Sequence, residues 1–389
     1  MTLRYAPGCA QLSKFRIGVQ SGLQLCLSAC VAKLFSSADL FLVSPPAPSL
    51  PALPELAELE LLLRQAGPLL QRHDLGRVAV GGGSLPLLAL TLGNPDPAVP
   101  AIGFFGGVHG LERIGAELVM AFLASLISRL RWDSSLHRML ESLRVVFLPL
   151  VNPGGIWHGT RANPRGVDLM RNAPVEAGPG VSPWVGGQRL SPRLPWYRGL
   201  ASQGMEAESQ ALCDLVVREL LSHRQSMAVD CHSGFGLADR IWFPYAHTAK
   251  PLPHLPEMHA LCQILDQTHA QHRYVFEPQS RQYLTHGDLW DHLYMQACAR
   301  DDCLHLPLTL EMGSWLWVRK NPKQLFSRLG MFNPLVSHRQ QRVLRRHIAW
   351  LDFMLRAAAG MPRWLPQAGQ RAWHEQQALQ RWYRRSVIA

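Results

Sequence analysis

The chain lacks any long uninterrupted apolar run. None of its 389 residues lies in a stretch of the roughly 18 consecutive apolar residues that a membrane-spanning helix needs. The nearest candidate, residues 17–35, is interrupted by polar side chains; it has the length of a weak signal peptide, but no clear small-residue cleavage site follows it. The sequence therefore predicts no membrane span, and we interpret the N-terminal region as a soluble extension.

Charged residues and paired cysteines are also scarce. Only 17% of the residues are charged and 47% are hydrophobic, which excludes disorder across the whole chain. The eight cysteines show no C-x-x-C spacing, so the sequence gives no sign of a redox pair or a structural zinc site. We therefore expect reduced thiols and a cytoplasmic protein. Cys231 stands beside His232, but alternation along a strand would turn it into the core.

Several common catalytic motifs are missing. The chain has no G-x-S-x-G nucleophile elbow, no Walker loop and no dinucleotide-binding G-x-G-x-x-G fingerprint. The H-E-x-x-H metalloprotease motif fails at His374 and Glu375, because Ala378 stands where the second histidine should be. These absences argue against the enzyme classes that depend on those motifs.

Positive charge is concentrated near the C-terminus. The formal net charge is +11, and residues 339–389 hold ten arginines against only Asp352 and Glu375. Such a segment could contact nucleic acid or an anionic membrane. However, Trp350 and Phe353 alternate with arginines at helical spacing, which favours an amphipathic helix with a solvated arginine face. We therefore expect no nucleic-acid partner.

Prolines suggest where the main domain begins. Five of them lie between residues 43 and 55, which indicates an extended linker. We predict an N-terminal extension with this linker over residues 1–52, a single main domain over 53–358 and a basic C-terminal tail over 359–389.

Strand and helix patterns alternate within that domain. Helices are predicted over residues 53–70 and after residue 112, and strands over residues 77–80, 85–92, 101–105, 144–151, 227–230 and 306–310. This alternation predicts an α/β fold with a mixed, mostly parallel central sheet and helices on both faces.

Polar residues follow three of the predicted strands. They are His109 with Glu112, then His232, then Glu311. Sites form at the carboxyl ends of strands in an open sheet, and two imidazoles with one carboxylate are the ligands of a catalytic zinc site with one open position. A lone H-x-x-E is weak support, because a second one occurs at residues 254–257, in a proline-rich stretch that we predict to be a loop.

The segment between the two histidines carries a family resemblance. It contains Asn152-Pro153-Gly154-Gly155, then Arg161, then a Gly-Val-Asp-Leu-Met-Arg-Asn run at residues 166–172. With H-x-x-E before it and a histidine and a glutamate after it, this order resembles the M14 zinc carboxypeptidases of the carboxypeptidase A-like superfamily. The resemblance covers about residues 53–350.

The resemblance implies a role for each matching residue. It implies one Zn²⁺ per chain held by His109, Glu112 and His232, with Glu311 as general base. The resemblance also implies that Arg161 polarises the scissile carbonyl and that Arg171 binds the substrate's terminal carboxylate. It implies that Tyr283 closes over the substrate.

Two residues depart from the family pattern. Gly154 stands where the family's Asn-Pro-Asp-Gly has its aspartate, which we expect to affect only the turn. Met170 stands where the family usually has an asparagine that helps Arg171, and a thioether cannot donate a hydrogen bond. Asn172 would share a face with residue 170 in an extended segment, so it is a candidate substitute for carboxylate binding.

Three functions therefore remain open. The first is a zinc metallocarboxypeptidase that hydrolyses a C-terminal peptide bond through a metal-activated water with a glutamate general base. The second is a zinc-dependent deacylase of N-acyl amino acids or small amides, as in the aspartoacylase and succinylglutamate desuccinylase branch. The third is a binding protein without activity, which the intact set of ligand and base residues disfavours.

Overall fold

The computed structural model describes residues 53–384, which form an eight-stranded sheet with helices packed against it. The strands are β1 (Gln71–Val80), β2 (Gly83–Gly93), β3 (Ala101–Gly106), β4 (Arg144–Leu148), β5 (Gln225–Ser233), β6 (Arg240–Phe243), β7 (Val275–Pro278) and β8 (Leu304–Met312). The α-helices are α1 (Pro54–Ala66), α2 (Arg113–Arg129), α3 (Ser134–Glu141), α4 (Pro153–His158), α5 (Ala207–Glu219), α6 (Leu255–Thr268), α7 (Leu289–Cys298), α8 (Trp315–Lys320), α9 (Ser337–Ala359), α10 (Met361–Trp364) and α11 (Ala368–Ala378).

The sheet is mixed and mostly parallel, as the sequence predicts. Its strand order is β1-β2-β4-β3-β5-β8-β6-β7. The four central strands, β4, β3, β5 and β8, are mutually parallel, and β6 and β7 also pair in parallel. The remaining pairings, β1 with β2, β2 with β4 and β6 with β8, are antiparallel. The carboxyl ends of β3, β5 and β8 therefore meet at one edge of the sheet.

Two apolar cores cover the two faces of the sheet. Neighbouring residues of β3 enter different cores, because successive side chains of a strand point to opposite faces. Phe104 packs against Phe122 of α2 with ring centroids 5.0 Å apart. Phe105 packs against Trp290 of α7 on the opposite face, also at 5.0 Å. Helices on both faces thus fix the central strands from two sides.

Most of the elements predicted from the sequence are present, with shifted ends. The predicted helix after residue 112 is α2, and Cys231 lies buried in the larger core as expected. Strands β5 and β8 are longer than predicted, because their polar ends pair with each other. The prediction of a loop at the second H-x-x-E is wrong. Pro256 and Glu257 lie in the first turn of α6, where a proline is tolerated because its missing N–H would have no partner there.

The arginine-rich segment forms an amphipathic helix. In α9, Trp350, Leu351 and Phe353 are buried, whereas Arg342 and Arg345 are exposed. This confirms the packing helix that the spacing predicts.

The predicted domain boundaries stay predictions. Residues 1–52 and the last five residues lie outside the described part of the chain. Within it, α11 contacts α6, and the Trp382 indole N–H donates to the Phe276 carbonyl at 2.7 Å. None of the helices in residues 53–384 combines the length and apolar character that a membrane crossing requires.

Gly110 lies where two backbone segments touch, which allows a first stability prediction. A Cβ atom at residue 110 would lie 2.0 Å from the carbonyl carbon of Gly155. Because backbone cannot move as a flexible side chain can, we expect Gly110→Ala to lower the free energy of unfolding by at least about 2 kcal/mol in urea denaturation. Gly81→Ala is the control, since its Cβ would meet nothing within 4 Å. Equal unfolding free energies for the two variants would contradict this packing.

Candidate metal centre

A loop after β4 fixes the turn that carries His109. The backbone turns sharply at Gly107, where φ is +67°, a value that glycine adopts without strain. The Asn152 N–H donates to the Gly107 carbonyl at 3.0 Å, and its side-chain amide donates to the Val108 carbonyl at 3.1 Å. Asn152 also accepts from the Gly155 N–H at 2.7 Å. The Asn-Pro-Gly-Gly motif therefore holds the H-x-x-E segment in place.

The glycine at position 154 has a steric cause. A Cβ there would lie 2.4 Å from the Pro164 ring. This explains why the chain has Gly154 where the resembled family has an aspartate.

Three side chains from two separate parts of the chain converge at the sheet edge. His109 Nδ1 lies 2.8 Å from Glu112 Oε1, and His232 Nδ1 lies 3.0 Å from Glu112 Oε2. The two Nδ1 atoms are 3.2 Å apart. All three residues are buried, and together they form a group that could hold a metal ion.

The donor set fits a zinc ion. Around a tetrahedral zinc, ligand atoms at about 2.0–2.1 Å from the metal lie about 3.3 Å from one another, close to the distances between these three side chains. Each imidazole also meets a carboxylate through Nε2, at 3.1 Å for His109 with Asp168 and 2.7 Å for His232 with Asp230. Such partners orient metal-binding histidines and leave the other ring nitrogen for the metal.

The charges around the centre favour a cation. Burial lowers the pKa of His232, but the charges and hydrogen bonds of Asp230 and Glu112 outweigh burial and raise that pKa well above its usual value. Burial likewise raises the pKa of Glu112, yet the two histidines hold it far below its usual value. Positive charge is thus stabilised at the point where the three side chains meet. A metal ion bound there would displace the proton that the raised pKa of His232 retains.

Glu311 stands beside this group. It is opposite His232 in the parallel register of β5 and β8, and its Oε1 accepts from the Phe235 N–H at 3.0 Å. Burial, followed by the charge of Glu112, raises the pKa of Glu311 to about 8. A carboxyl group with a pKa near neutrality can both accept and return a proton.

Arg161 also reaches the centre. Its Nε donates to Asp168 Oδ2 at 2.8 Å, and its Nη1 donates to Glu112 Oε1 at 3.2 Å. About 20% of the side chain remains exposed. The guanidinium is therefore anchored beside the candidate ligands and still open on one side.

Arg171 and Tyr283 lie at the same site. Arg171 is buried, and its Nε and Nη1 donate to the carbonyls of Val185 and Met170, both at 3.1 Å. Burial and the charge of Glu311 raise the pKa of Tyr283, against the opposing charges of Arg171 and Arg161. Its ring lies 5.7 Å from that of Phe235, which forms an aromatic wall near Glu311.

Asn172 does not join the cluster. Its amide nitrogen donates to the Arg198 carbonyl at 3.0 Å, and its oxygen accepts from the Glu206 N–H at 2.6 Å. The segment is a short 3₁₀ turn rather than a strand, so residues 170 and 172 do not share a face. The expectation that Asn172 substitutes at position 170 is therefore corrected, because its side chain holds the loop together.

Two carboxylates at the centre were missed by the sequence reasoning. Asp230 lies two residues before His232 in β5, so the period of a strand places both side chains on one face. That signal was available in the sequence. Asp168 is the aspartate of the Gly-Val-Asp run, but no spacing linked it to His109, because 59 residues separate the two and only the fold brings them together.

The comparison with protein families agrees with this geometry. The family model described as "Zinc carboxypeptidase" matches residues 73–315. The chain belongs to the zinc carboxypeptidase family. The described sheet with its helices is the fold expected from the resemblance.

Curated zinc carboxypeptidase relatives match only parts of the chain. The metallocarboxypeptidase A of Trichophyton tonsurans is 30% identical over 186 residues, which are 44% of this chain and 42% of that protein. Carboxypeptidase E of Caenorhabditis elegans is 32% identical over 97 residues, 22% of this chain and 21% of that protein. An inactive metallocarboxypeptidase of Arthroderma otae is 28% identical over 166 residues, 38% of this chain and 26% of that protein. The chain thus spans less than half the length of these relatives.

Solved structures share the fold. Carboxypeptidase A from Helicoverpa armigera superposes with a TM-score of 0.53 at 15% identity, covering 84% of this chain and 81% of that chain. Thrombin activatable fibrinolysis inhibitor gives the same TM-score at 17% identity, covering 74% and 72%. At such low identity these likenesses concern the fold alone.

Proposed function

We propose that this protein is a zinc-dependent metallocarboxypeptidase that hydrolyses the C-terminal peptide bond of a peptide. The observation that carries the proposal is the meeting of His109, Glu112 and His232 beside Glu311. A family member described as inactive shows that membership alone does not establish activity. Here, however, the candidate ligands and the candidate base are all present and adjacent.

Each side chain has a part in the proposed reaction. Zinc, when bound by two histidines and a carboxylate, activates a water molecule and polarises a carbonyl group. Glu311 takes a proton and then passes it to the leaving amine nitrogen, which its raised pKa permits. Arg161 directs its positive charge at the carbonyl oxygen as negative charge develops there.

Arg171 and Tyr283 are assigned to substrate binding. Two main-chain carbonyls orient the Arg171 guanidinium, which can then bind a terminal carboxylate through its remaining donors. Tyr283, with its hydroxyl near both arginines and Glu311, is positioned to close over the substrate.

We also propose a cytoplasmic location. The free cysteines among the described residues support this proposal.

Met170 favours a second candidate function. Its side chain is buried in the smaller apolar core, and Asn172 does not replace the missing hydrogen-bond donor. Arg171 alone would then recognise the carboxylate. A zinc-dependent deacylase of N-acyl amino acids or small amides, which needs a different substrate clamp, is the alternative.

A substrate series separates the two candidates. We expect hydrolysis of short peptides with a free C-terminus, and a loss of about 100-fold or more in kcat/KM when the same peptides carry a C-terminal amide, because Arg171 loses a charge-assisted bond. N-acyl amino acids serve as the comparison substrates. Faster turnover of N-acyl amino acids than of every peptide would establish the deacylase instead.

A further inference from the structure

We propose that Asp230 and Trp290 form a positioning pair that fixes His232 for metal binding. This inference rests on the proposed function and adds to it two residues beyond the candidate ligands and base. Asp230 Oδ2 accepts from the Trp290 indole N–H at 2.8 Å and lies 2.7 Å from His232 Nε2. All three residues are buried.

The two bonds determine which nitrogen of His232 faces the metal site. An indole N–H can only donate, so Asp230 Oδ2 acts as the acceptor for Trp290 and, as a carboxylate, for His232 as well. Nε2 of His232 must therefore carry a proton. Nδ1 is left as the ligand atom, and it is the atom that lies 3.0 Å from Glu112.

Only one oxygen of Asp230, Oδ2, accepts these two hydrogen bonds. The other oxygen, Oδ1, is buried and has no hydrogen-bond partner among residues 53–384. A carboxylate held through one atom could rotate about its bond to the chain. The Trp290 indole opposes this rotation, because it donates to the same Oδ2 as His232, and turning that oxygen away from His232 would break both bonds.

Trp290 is itself fixed by its position in the fold. It lies in the first turn of α7, where its main-chain N–H donates to the capping carboxylate of Asp288 at 2.9 Å. Its ring packs edge-on against Phe105 of β3 at 5.0 Å. The helix cap and the core therefore orient the indole toward β5 without any contribution from a substrate.

His109 is held differently. Its partner Asp168 is anchored by Arg161, whose guanidinium is partly exposed and is proposed to contact the substrate. Asp168 therefore shares its charge with a cation that, under the proposed function, also meets the substrate. The neutral Trp290 leaves the full charge of Asp230 to His232 and keeps that ligand independent of the substrate.

The test measures zinc affinity in competition with a chelating indicator. We expect Asp230→Ala to weaken zinc binding by about 10–100-fold, the usual effect of losing such a partner. Trp290→Phe keeps an aromatic ring beside Phe105 but removes the N–H together with part of the indole, and we expect it to weaken binding about 3–10-fold. In the Asp230→Ala background, Trp290→Phe should have no further effect on zinc affinity.

Trp382→Phe is the matched control. Trp382 is buried to the same extent as Trp290 and also donates one indole hydrogen bond, but to the Phe276 carbonyl. It should lower the thermal stability of the zinc-free protein and leave zinc affinity unchanged.

Three results would go against the inference. If Trp290→Phe lowers only thermal stability, as Trp382→Phe does, the positioning role is wrong while the proposed function stands. If the two single effects add fully in the double variant, Trp290 does not act through Asp230, and the inference is again wrong. If the wild-type protein binds no zinc, the proposed function and the inference fail together.

Discussion

Glu311→Gln should lower kcat/KM for peptide hydrolysis by about 10²–10⁴-fold, the usual contribution of a general base. Glutamine has nearly the same shape and can still accept from the Phe235 N–H, but it cannot take a proton. Zinc content should not change, because Glu311 is not among the three candidate ligands. Steady-state kinetics and elemental analysis of the same samples test both expectations. Wild-type activity in this variant would remove Glu311 from the mechanism.

The pH dependence of stability gives an independent test of Glu311. Burial and the charge of Glu112 raise its pKa to about 8, well above the usual value of an unfolded chain. The ionised form therefore costs the zinc-free protein stability, and this cost grows as the pH rises from about 4.5 to 8. We expect Glu311→Gln to become progressively more stable than wild type over that range in urea unfolding. A pH-independent difference would show that Glu311 titrates normally.

Arg161→Ala should have the second largest effect. We expect kcat to fall by about 10²–10³-fold, because the charge that meets the developing oxyanion is lost. The same change leaves the carboxylate of Asp168, only 1% exposed, without its cation, so the free energy of unfolding should fall by about 3 kcal/mol. The pKa of Asp168 is far below its usual value despite burial, because of Arg161 first and then His109. The stability loss should therefore be full at neutral pH and shrink below about pH 4.

Arg161→Lys separates the two roles of Arg161. Lysine keeps the positive charge, but its ammonium lacks the planar fork with which the guanidinium bonds to Asp168 through Nε and to Glu112 through Nη1. We expect it to recover much of the stability and little of kcat. Full recovery of kcat would mean that any cation at this position suffices, and that Arg161 makes no directed contact with the oxyanion.

The sequence predicts the centre of the fold better than its ends. Helix α2 was predictable because Ile114, Leu118 and Phe122 recur at helical spacing and are all buried. The predicted strands stop at residues 230 and 310, before the observed ends of β5 and β8. His232 and Glu311 are polar, and polar residues ordinarily mark the end of a strand. Here each is held in the strand by its neighbour across the sheet, which only the pairing register reveals.

The sequence predicts the candidate metal ligands, but not the residues that hold those ligands in place. His109, Glu112 and Glu311 follow strand patterns, and the resemblance supplied their order along the chain. Trp290 carried no such signal, because its contact with Asp230 joins residues 60 positions apart and depends on how α7 packs on the sheet. The expectation for Asn172 was wrong for a related reason. The chain turns there, and the Asn172 amide bonds to main-chain partners.

Zinc content tests the central claim most directly. Protein purified without chelators should contain about one zinc per chain by elemental analysis, as expected for a site with three protein ligands. His232→Ala should lose that zinc, whereas His158→Ala, which removes an exposed histidine outside the group, should retain it. Wild-type protein without zinc, or a His232→Ala variant that keeps a full equivalent, would contradict the convergence of His109, Glu112 and His232 on one metal ion.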